Sequence, residues 1–412
     1  MKASERRRRL RTLFRWALIY RNITRRQLAE LLACDPACLS RCTGNPKMDR
    51  LVRLSKAIDW SVEGVVEFIA GDALGGAEPP YGATFAELDQ NARAAYHASD
   101  FLQMAQRGRQ MHSLATTPDE IARALRIEAI GLGELAFFEK ALSAYRQAAL
   151  TRGLSSMQRL AIEANLANSH YTAWHLSEAI GVATAVLEHF EDTEPTERTD
   201  RVTRAFSLYV RGSARRRQID LNWSDQQAVA RRAVRDLEAA AQQYDTLASE
   251  FNEPYFRGLA STCRAGLLEL GCALREQDPA ATVERIRAHV AELGTPTDWP
   301  SGDELETYGW WCDAGCNIAF RHLEDDAMEG AVEWLHERLK AITRRFPGWP
   351  LKERVLSIRL RLHEWQRNRT RLPIPLEVDR EECRFLIGAV GRFSVLRPKL
   401  LYILLNAHLD DE

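Results

Sequence analysis

Leu10, Leu13, Phe14, Ala17 and Leu18 stand at i, i+3, i+4, i+7 and i+8, the stripe by which one helix buries a face. Thr24, with Gln27 three residues on, forms a capping box that starts a second helix at Arg25. Asp35 followed by Pro36 gives an N-cap and a proline at the first helical position, so a third helix begins there. Met48, Leu51, Val52, Leu54 and Ile58 phase a fourth, and Ser61 caps a fifth through Phe68. The pattern predicts a bundle of five short helices over residues 1–70. The stretch GDALGGAEPPYGAT (71–84) then has 6 Gly or Pro in 14 residues, cannot hold a helix, and reads as a linker.

Beyond the linker the helices lengthen and no strand pattern occurs. Thr84…Glu87, Thr117-Pro118-Asp119-Glu120 and Ser301…Glu304 are further capping boxes, and Asp278-Pro279 is another capped start. Small or aromatic residues fall at Ala129, Leu132, Ala136, Ala141, Tyr145 and Ala148, spacings that let two antiparallel helices approach closely. The layout returns about 38 residues later at Ala167, Trp174, Ala179, Ala183 and Val186. Here the chain resembles the tetratricopeptide repeats, helical pairs with a period of about 34 residues or slightly more. A hairpin rhythm without the consensus continues through 203–247, 254–293, 303–345, 352–369 and 379–409. The expected fold is all-α, with an α-solenoid of degenerate tetratricopeptide-like hairpins over 85–412.

Composition changes the picture mainly by exclusion. With 412 residues, 45% hydrophobic and 27% charged, the chain is neither disordered nor fibrous. No apolar run approaches the ~18 residues of a membrane span, and the start does not resemble a signal peptide. The expectation is a cytoplasmic protein with no membrane partner, whose eight cysteines stay reduced. The net charge of −1 conceals an asymmetry. Residues 1–70 hold 15 Lys+Arg against 7 Asp+Glu, net +8, which leaves −9 for the rest. A basic head on an acidic body points to an anionic partner for the head alone.

The segment TRRQLAELLACDPACLSRC (24–42) sets a capped helix, a short turn at Ala33–Asp35 and a second capped helix. Gln27-Leu28-Ala29-Glu30, small Ala33, apolar Cys34, Leu39-Ser40-Arg41 and the later KMDRLVRLSKAI helix resemble the lambda-repressor-like (Xre) helix-turn-helix family. The resemblance implies a five-helix DNA-binding head whose second motif helix lies in the major groove. Carried over by position, Arg25 and Arg26 become phosphate contacts, while Pro36, Ala37, Ser40 and Arg41 face the bases. The loop from Cys42 to Met48 is shorter than the family's, and Thr43 replaces its usual Glu. Only Arg41 can make a bidentate contact to guanine, so each head reads little sequence by itself. Arg6, Arg7, Arg8 and Arg9 oppose the dipole of the helix they open, which suggests an external phosphate; a solvated terminus is the plainer reading.

Other chemistry is sparse. Cys34, Cys38 and Cys42 read as packing residues rather than a metal or thiol-sensor cluster, and Cys312 and Cys316 read likewise. His336-Glu337 and His363-Glu364 lack the second histidine of a zinc protease, and phosphate-loop, GxSxG and dinucleotide motifs are missing, so neither enzyme activity nor a cofactor is expected. The RGSARRR run (211–217) reads as an exposed helix end, with an acidic-peptide site as the alternative. FLIGAVGRFSVLRPKLLYILLNAHL (385–409) is the most apolar stretch, and a last repeat helix should show water a polar face. Phe385, Leu386, Phe393, Leu400, Leu401, Ile403 and Leu404 are therefore expected at a homodimer interface, with fold-back onto preceding helices as the alternative. Together these readings predict a transcriptional regulator that binds double-stranded DNA. Lambda-type heads on tetratricopeptide bodies resemble peptide-responsive regulators, which implies a peptide or protein ligand in the repeat groove. The competing function is an interaction scaffold whose head no longer reads DNA.

Overall fold

The structure is a computed structural model that describes residues 3–40, 45–60, 62–70, 78–191, 194–219, 225–296, 299–300, 302–370, 385–390 and 400. The described residues are helical throughout their regular structure, with no strand among them. The chain divides into two compact units, Met1–Gly76 and Ala77–Glu412.

In the first unit α1 (Ala3–Arg21) is a long helix, followed by α2 (Arg25–Leu31), α3 (Pro36–Ser40), α4 (Met48–Ile58) and α5 (Val62–Ala70). Leu10, Leu13, Phe14 and Ala17 of α1 are buried with Leu28, Leu32, Leu39, Leu54, Ile58, Val65 and Ile69 in one core. Met48 points outward, so the buried stripe of α4 is narrower than its apolar positions suggest. The α2 capping box forms as the sequence dictates: Gln27 N–H donates to Thr24 Oγ1, and the Gln27 side chain accepts from the Thr24 N–H at 2.8 Å. Asp35 Oδ1 accepts from the Ala37 N–H at 2.7 Å, and Ala33 takes a left-handed φ of 46° in the turn between α2 and α3.

The second unit is a series of antiparallel hairpins. The pairs are α6 (Phe85–His97) with α7 (Phe101–Leu114), α8 (Pro118–Glu134) with α9 (Phe138–Ala149), and α10 (Ser156–Thr172) with α11 (Leu176–Glu188). They continue with α12 (Arg198–Gln218) and α13 (Gln226–Phe251), α14 (Pro254–Ala273) and α15 (Pro279–Ala291), which packs mainly on the next helix, and α16 (Asp303–His322) and α17 (Asp325–Arg345). The stretch 352–369, expected within the hairpin rhythm, lies in one continuous helix, α18 (Trp349–Thr370). Helix α16 starts after Gly302 at φ 64°, so its N-cap is not Ser301, which lies outside the described residues.

Four hairpins turn by one geometry. Ser99, Ala136, Trp174 and Arg275 each sit two residues past the first helix of a pair with φ between 56° and 65°. The following amide reaches back to the last turn, as in Phe137 N–H to Leu132 O at 2.8 Å and His175 N–H to His170 O at 2.9 Å. These are Schellman closures that satisfy the free carbonyls of a helix end, made here without glycine. Ala129, Ala141, Ala148, Ala167, Ala179 and Ala183 are fully buried between the paired helices.

Glycine sets the closest approach. A Cβ on Gly108 of α7 would lie 2.4 Å from the Glu128 backbone nitrogen of α8, and one on Gly131 of α8 would lie 2.7 Å from the Phe101 carbonyl of α7. Backbone cannot swing aside as a side chain can. Gly108→Ala should therefore force α7 and α8 apart and cost about 1–3 kcal/mol. Gly181→Ala, exposed inside α11 with nothing within 4 Å of the new methyl, should instead stabilise by about 0.5–1 kcal/mol. Thermal unfolding of the full chain checks both signs, and an unchanged Tm for Gly108→Ala would contradict the close approach.

Candidate functional site

The first candidate surface lies where α2 meets α3. Arg25, the first residue of α2, is exposed and reaches the hydroxyl of Ser40, at the end of α3, at 3.3 Å. Arg26 is exposed and pairs with Glu30 one turn on at 3.3 Å. Pro36, Ala37 and Ser40 face solvent while Leu39 is buried, so α3 shows its small residues outward. Arg41 lies outside the described residues.

Several head arginines have internal duties that the sequence does not advertise. Arg11 Nη2 donates to the Ser40 carbonyl at 3.1 Å, where a cation satisfies a helix end and its dipole. Arg21 does the same for α4, donating to Ala57 O at 2.9 Å and Lys56 O at 2.8 Å and pairing with Asp59. Within the 6–9 block, Arg8 and Arg9 both pair with Glu5, and Arg9 also donates to Phe68 O at 3.2 Å. Arg9 thus ties α1 to α5. Arg6 is half-buried and Arg7 exposed.

Cys34 and Cys38 are half-buried, and burial pushes the Cys34 thiol above its usual range. Cys42 lies outside the described residues. Alkylation of Cys34 at pH 7.5 should run several-fold slower than that of a free cysteine peptide, because less thiolate is present. Mass spectrometry of iodoacetamide-treated protein measures this, and a rate faster than the peptide's would revive a thiol sensor.

The second candidate surface is a groove in the body. The first helix of each hairpin lines it: Asp89 and Arg93 from α6, Arg123, Arg126 and Glu134 from α8, Asn165 and Asn168 from α10, Phe206 and Tyr209 from α12, Tyr255 and Thr262 from α14, and Glu306 and Trp310 from α16. Repetition of one helix position in successive hairpins creates this polar and aromatic face, around a cavity of about 330 Å³. Arg123 grips Asp89 with both ends of its guanidinium, at 2.8 and 2.7 Å, and Arg93 shares the same carboxylate at 2.9 Å. Among the described residues Arg126 has no hydrogen-bond or ion-pair partner, and its Nε is shut off from water. Burial and then the neighbouring Arg123 depress its pKa. The sequence held a signal for this residue: Ala122, Arg123, Ala129 and Ile130 occupy its i±3 and i±4 neighbours, so no local acid can pair with it.

The RGSARRR run is not an exposed helix end. Arg216 and Arg217 are buried, and Arg211 and Arg215 both pair with buried Asp236 of α13. Arg216 pairs with Glu269 of α14, which also takes Arg321 of α16 at 2.8 Å. Burial alone would raise the Glu269 carboxyl, but Arg216 and Arg321 hold it below the usual carboxylate range. Arg217 lies over the Tyr171 ring at 4.0 Å and the Trp174 ring at 4.8 Å. The acids that neutralise the run lie 20 or more residues away, which is why the local window misleads.

The C-terminal apolar residues also differ from expectation. Leu386 and Leu400 are buried against Ala136, Phe138, Leu356 and Leu360 of their own chain, and Phe385 stacks on Trp349 at 5.7 Å. Fold-back covers Leu386 and Leu400, and Phe385 in part; Phe393, Leu401, Ile403 and Leu404 lie outside the described residues. Cys312 and Cys316 are fully buried packing residues. No group of three metal-binding side chains occurs among the described residues, and none of their helices is long and apolar enough to cross a membrane.

No protein-family model matches this chain, and no curated protein matches its sequence. Among solved structures, it is similar to Bacillus thuringiensis PlcR in complex with the peptide PapR7 and DNA. The TM-score is 0.37 with 13% identity, over 76% of this chain and 97% of that one.

Proposed function

We propose that the chain is a DNA-binding transcription regulator. Residues 1–70 read a duplex, 71–84 link, and the helical body 85–412 seats a peptide or protein effector in its groove. The observation that carries this reading is the α2–α3 surface: a basic side chain at the start of α2 adjoins an α3 flank stripped of bulk. A helix that shows only Pro36, Ala37 and Ser40 can approach base edges closely, and Arg25 and Arg26 stand where phosphates would flank it. Arg41, next after Ser40, supplies the guanine contact. Arg6, Arg7 and Arg8 extend the phosphate set.

One head makes few contacts, so useful affinity calls for a homodimer on two half-sites about one helical turn apart. Leu386 and Leu400 do not provide the seam, because their own chain covers them. Sedimentation at micromolar concentration should give a dimer. A monomer there would defeat the paired-head reading.

Gel shifts on genomic fragments test the DNA reading. Arg25→Ala and Arg26→Ala should weaken all duplexes alike and flatten the salt dependence by about one unit each. Arg41→Ala should cost ~1–3 kcal/mol, and mainly at the preferred site. A protein that binds no duplex at low salt would leave the scaffold reading in place.

A further inference from the structure

We infer that the groove is a carboxylate-binding site anchored by Arg126, a reading that rests on the groove being the effector site. Three guanidinium groups, Arg93, Arg123 and Arg126, line one end of it around Asp89, while Glu134 and Glu306 line other parts of the wall. Two of the three share that acid, and the third has none. Arg126 therefore keeps an uncompensated charge beside Arg123, in a setting where burial already disfavours the cation.

Arg126 is half-buried with its Nε sealed from water and unpartnered, an arrangement that does not favour the empty protein. A ligand anion would remove that penalty. Its chemistry follows from the surroundings. One planar fork is free, which matches the two oxygens of a carboxylate, while Asp89 already holds the guanidiniums of Arg93 and Arg123. Tyr209, Phe206 and Trp310 supply aromatic walls, and Asn168 offers an amide with no side-chain partner among the described residues. A cavity near 330 Å³ admits a small aromatic acid or the last two or three residues of a peptide. Both sources present the same group to Arg126.

The test titrates the full chain with three probes, read by tryptophan fluorescence and calorimetry. These are phenylacetate, a pool of random hexapeptides with free C-termini, and the same pool amidated. Binding of phenylacetate or of the free-acid pool, at least tenfold tighter than phenylacetamide or the amidated pool, is the expected result. Whichever acid binds identifies the source. Arg126→Gln should abolish the preference for acid over amide while leaving the Tm of the empty protein equal or higher. Arg126→Lys should keep a weakened preference.

Equal binding of acid and amide overturns the proposal, as does no binding of any acid probe. A lower Tm in Arg126→Gln with acid binding intact would make Arg126 a packing residue instead. Gel shifts with the bound acid separate this from the regulator reading. If acid binds through Arg126 but leaves DNA affinity unchanged, the site stands and its role as effector site fails.

Discussion

A single buried carboxylate, Glu269, joins three consecutive inner helices of the body. It sits on α14 at 1% exposure, paired with Arg216 of α12 and Arg321 of α16. Hairpin stacks are held mainly by contacts between neighbours, so their relative rotation is weakly specified by apolar packing alone. A charge sealed among three helices is far more particular, because any rotation that strips a partner leaves an uncompensated ion. The network continues through Asp313 of α16, whose carboxyl burial pushes up while Arg354 and Arg216 pull it down. Arg354 pairs with Glu353 on α18, and Arg217 reaches the Tyr171 carbonyl of α10. Tyr171 and Tyr209 of the groove wall stand beside these ions. The polar core and the groove are two sides of one set of helices.

Local chemistry was legible where the partners lie within a few residues. The capping boxes at Thr24, Thr84 and Thr117 form as written, because a box closes on its own N3 residue. The alanine stripes of the α8–α9 and α10–α11 hairpins are buried for the same local reason, since helical spacing alone decides which residues share a face. Reading failed where distance along the chain mattered. The arginines of α12 look like a solvated helix end until Asp236 arrives from the partner helix α13, and Glu269 and Asp313 from the next two hairpins. The C-terminal apolar residues look like a seam for a second molecule until Leu356 and Leu360 of α18 close over Leu386 and Leu400. Helix ends offer a third case: the turn after α8 contains no glycine, so its left-handed residue gives no compositional sign.

In the candidate surfaces the same divide appears. Residues 24–40 carry their own turn, caps and exposed flank, so their placement followed from the sequence. Arg9, Arg11 and Arg21 did not, because each donates to a helix end 29 to 59 residues away. Part of the positive charge of the head is therefore spent holding the bundle together. Arg126 is the converse: its importance lies in what fails to meet it, and only the assembled hairpins reveal that.

The turn between α10 and α11 shows local and global preferences in conflict. Trp174 occupies a left-handed position that favours glycine, so its backbone stores strain. Its indole lies 4.8 Å from the Arg217 guanidinium and 4.6 Å from that of Arg354. The electron-rich ring thus offsets part of the repulsion between two like charges by attracting both. Glycine would relax the backbone and remove the aromatic contact of both guanidiniums, which already repel each other. For this turn the ideal residue by conformation is the worst by electrostatics, and an aromatic side chain is retained against the grain of its own backbone.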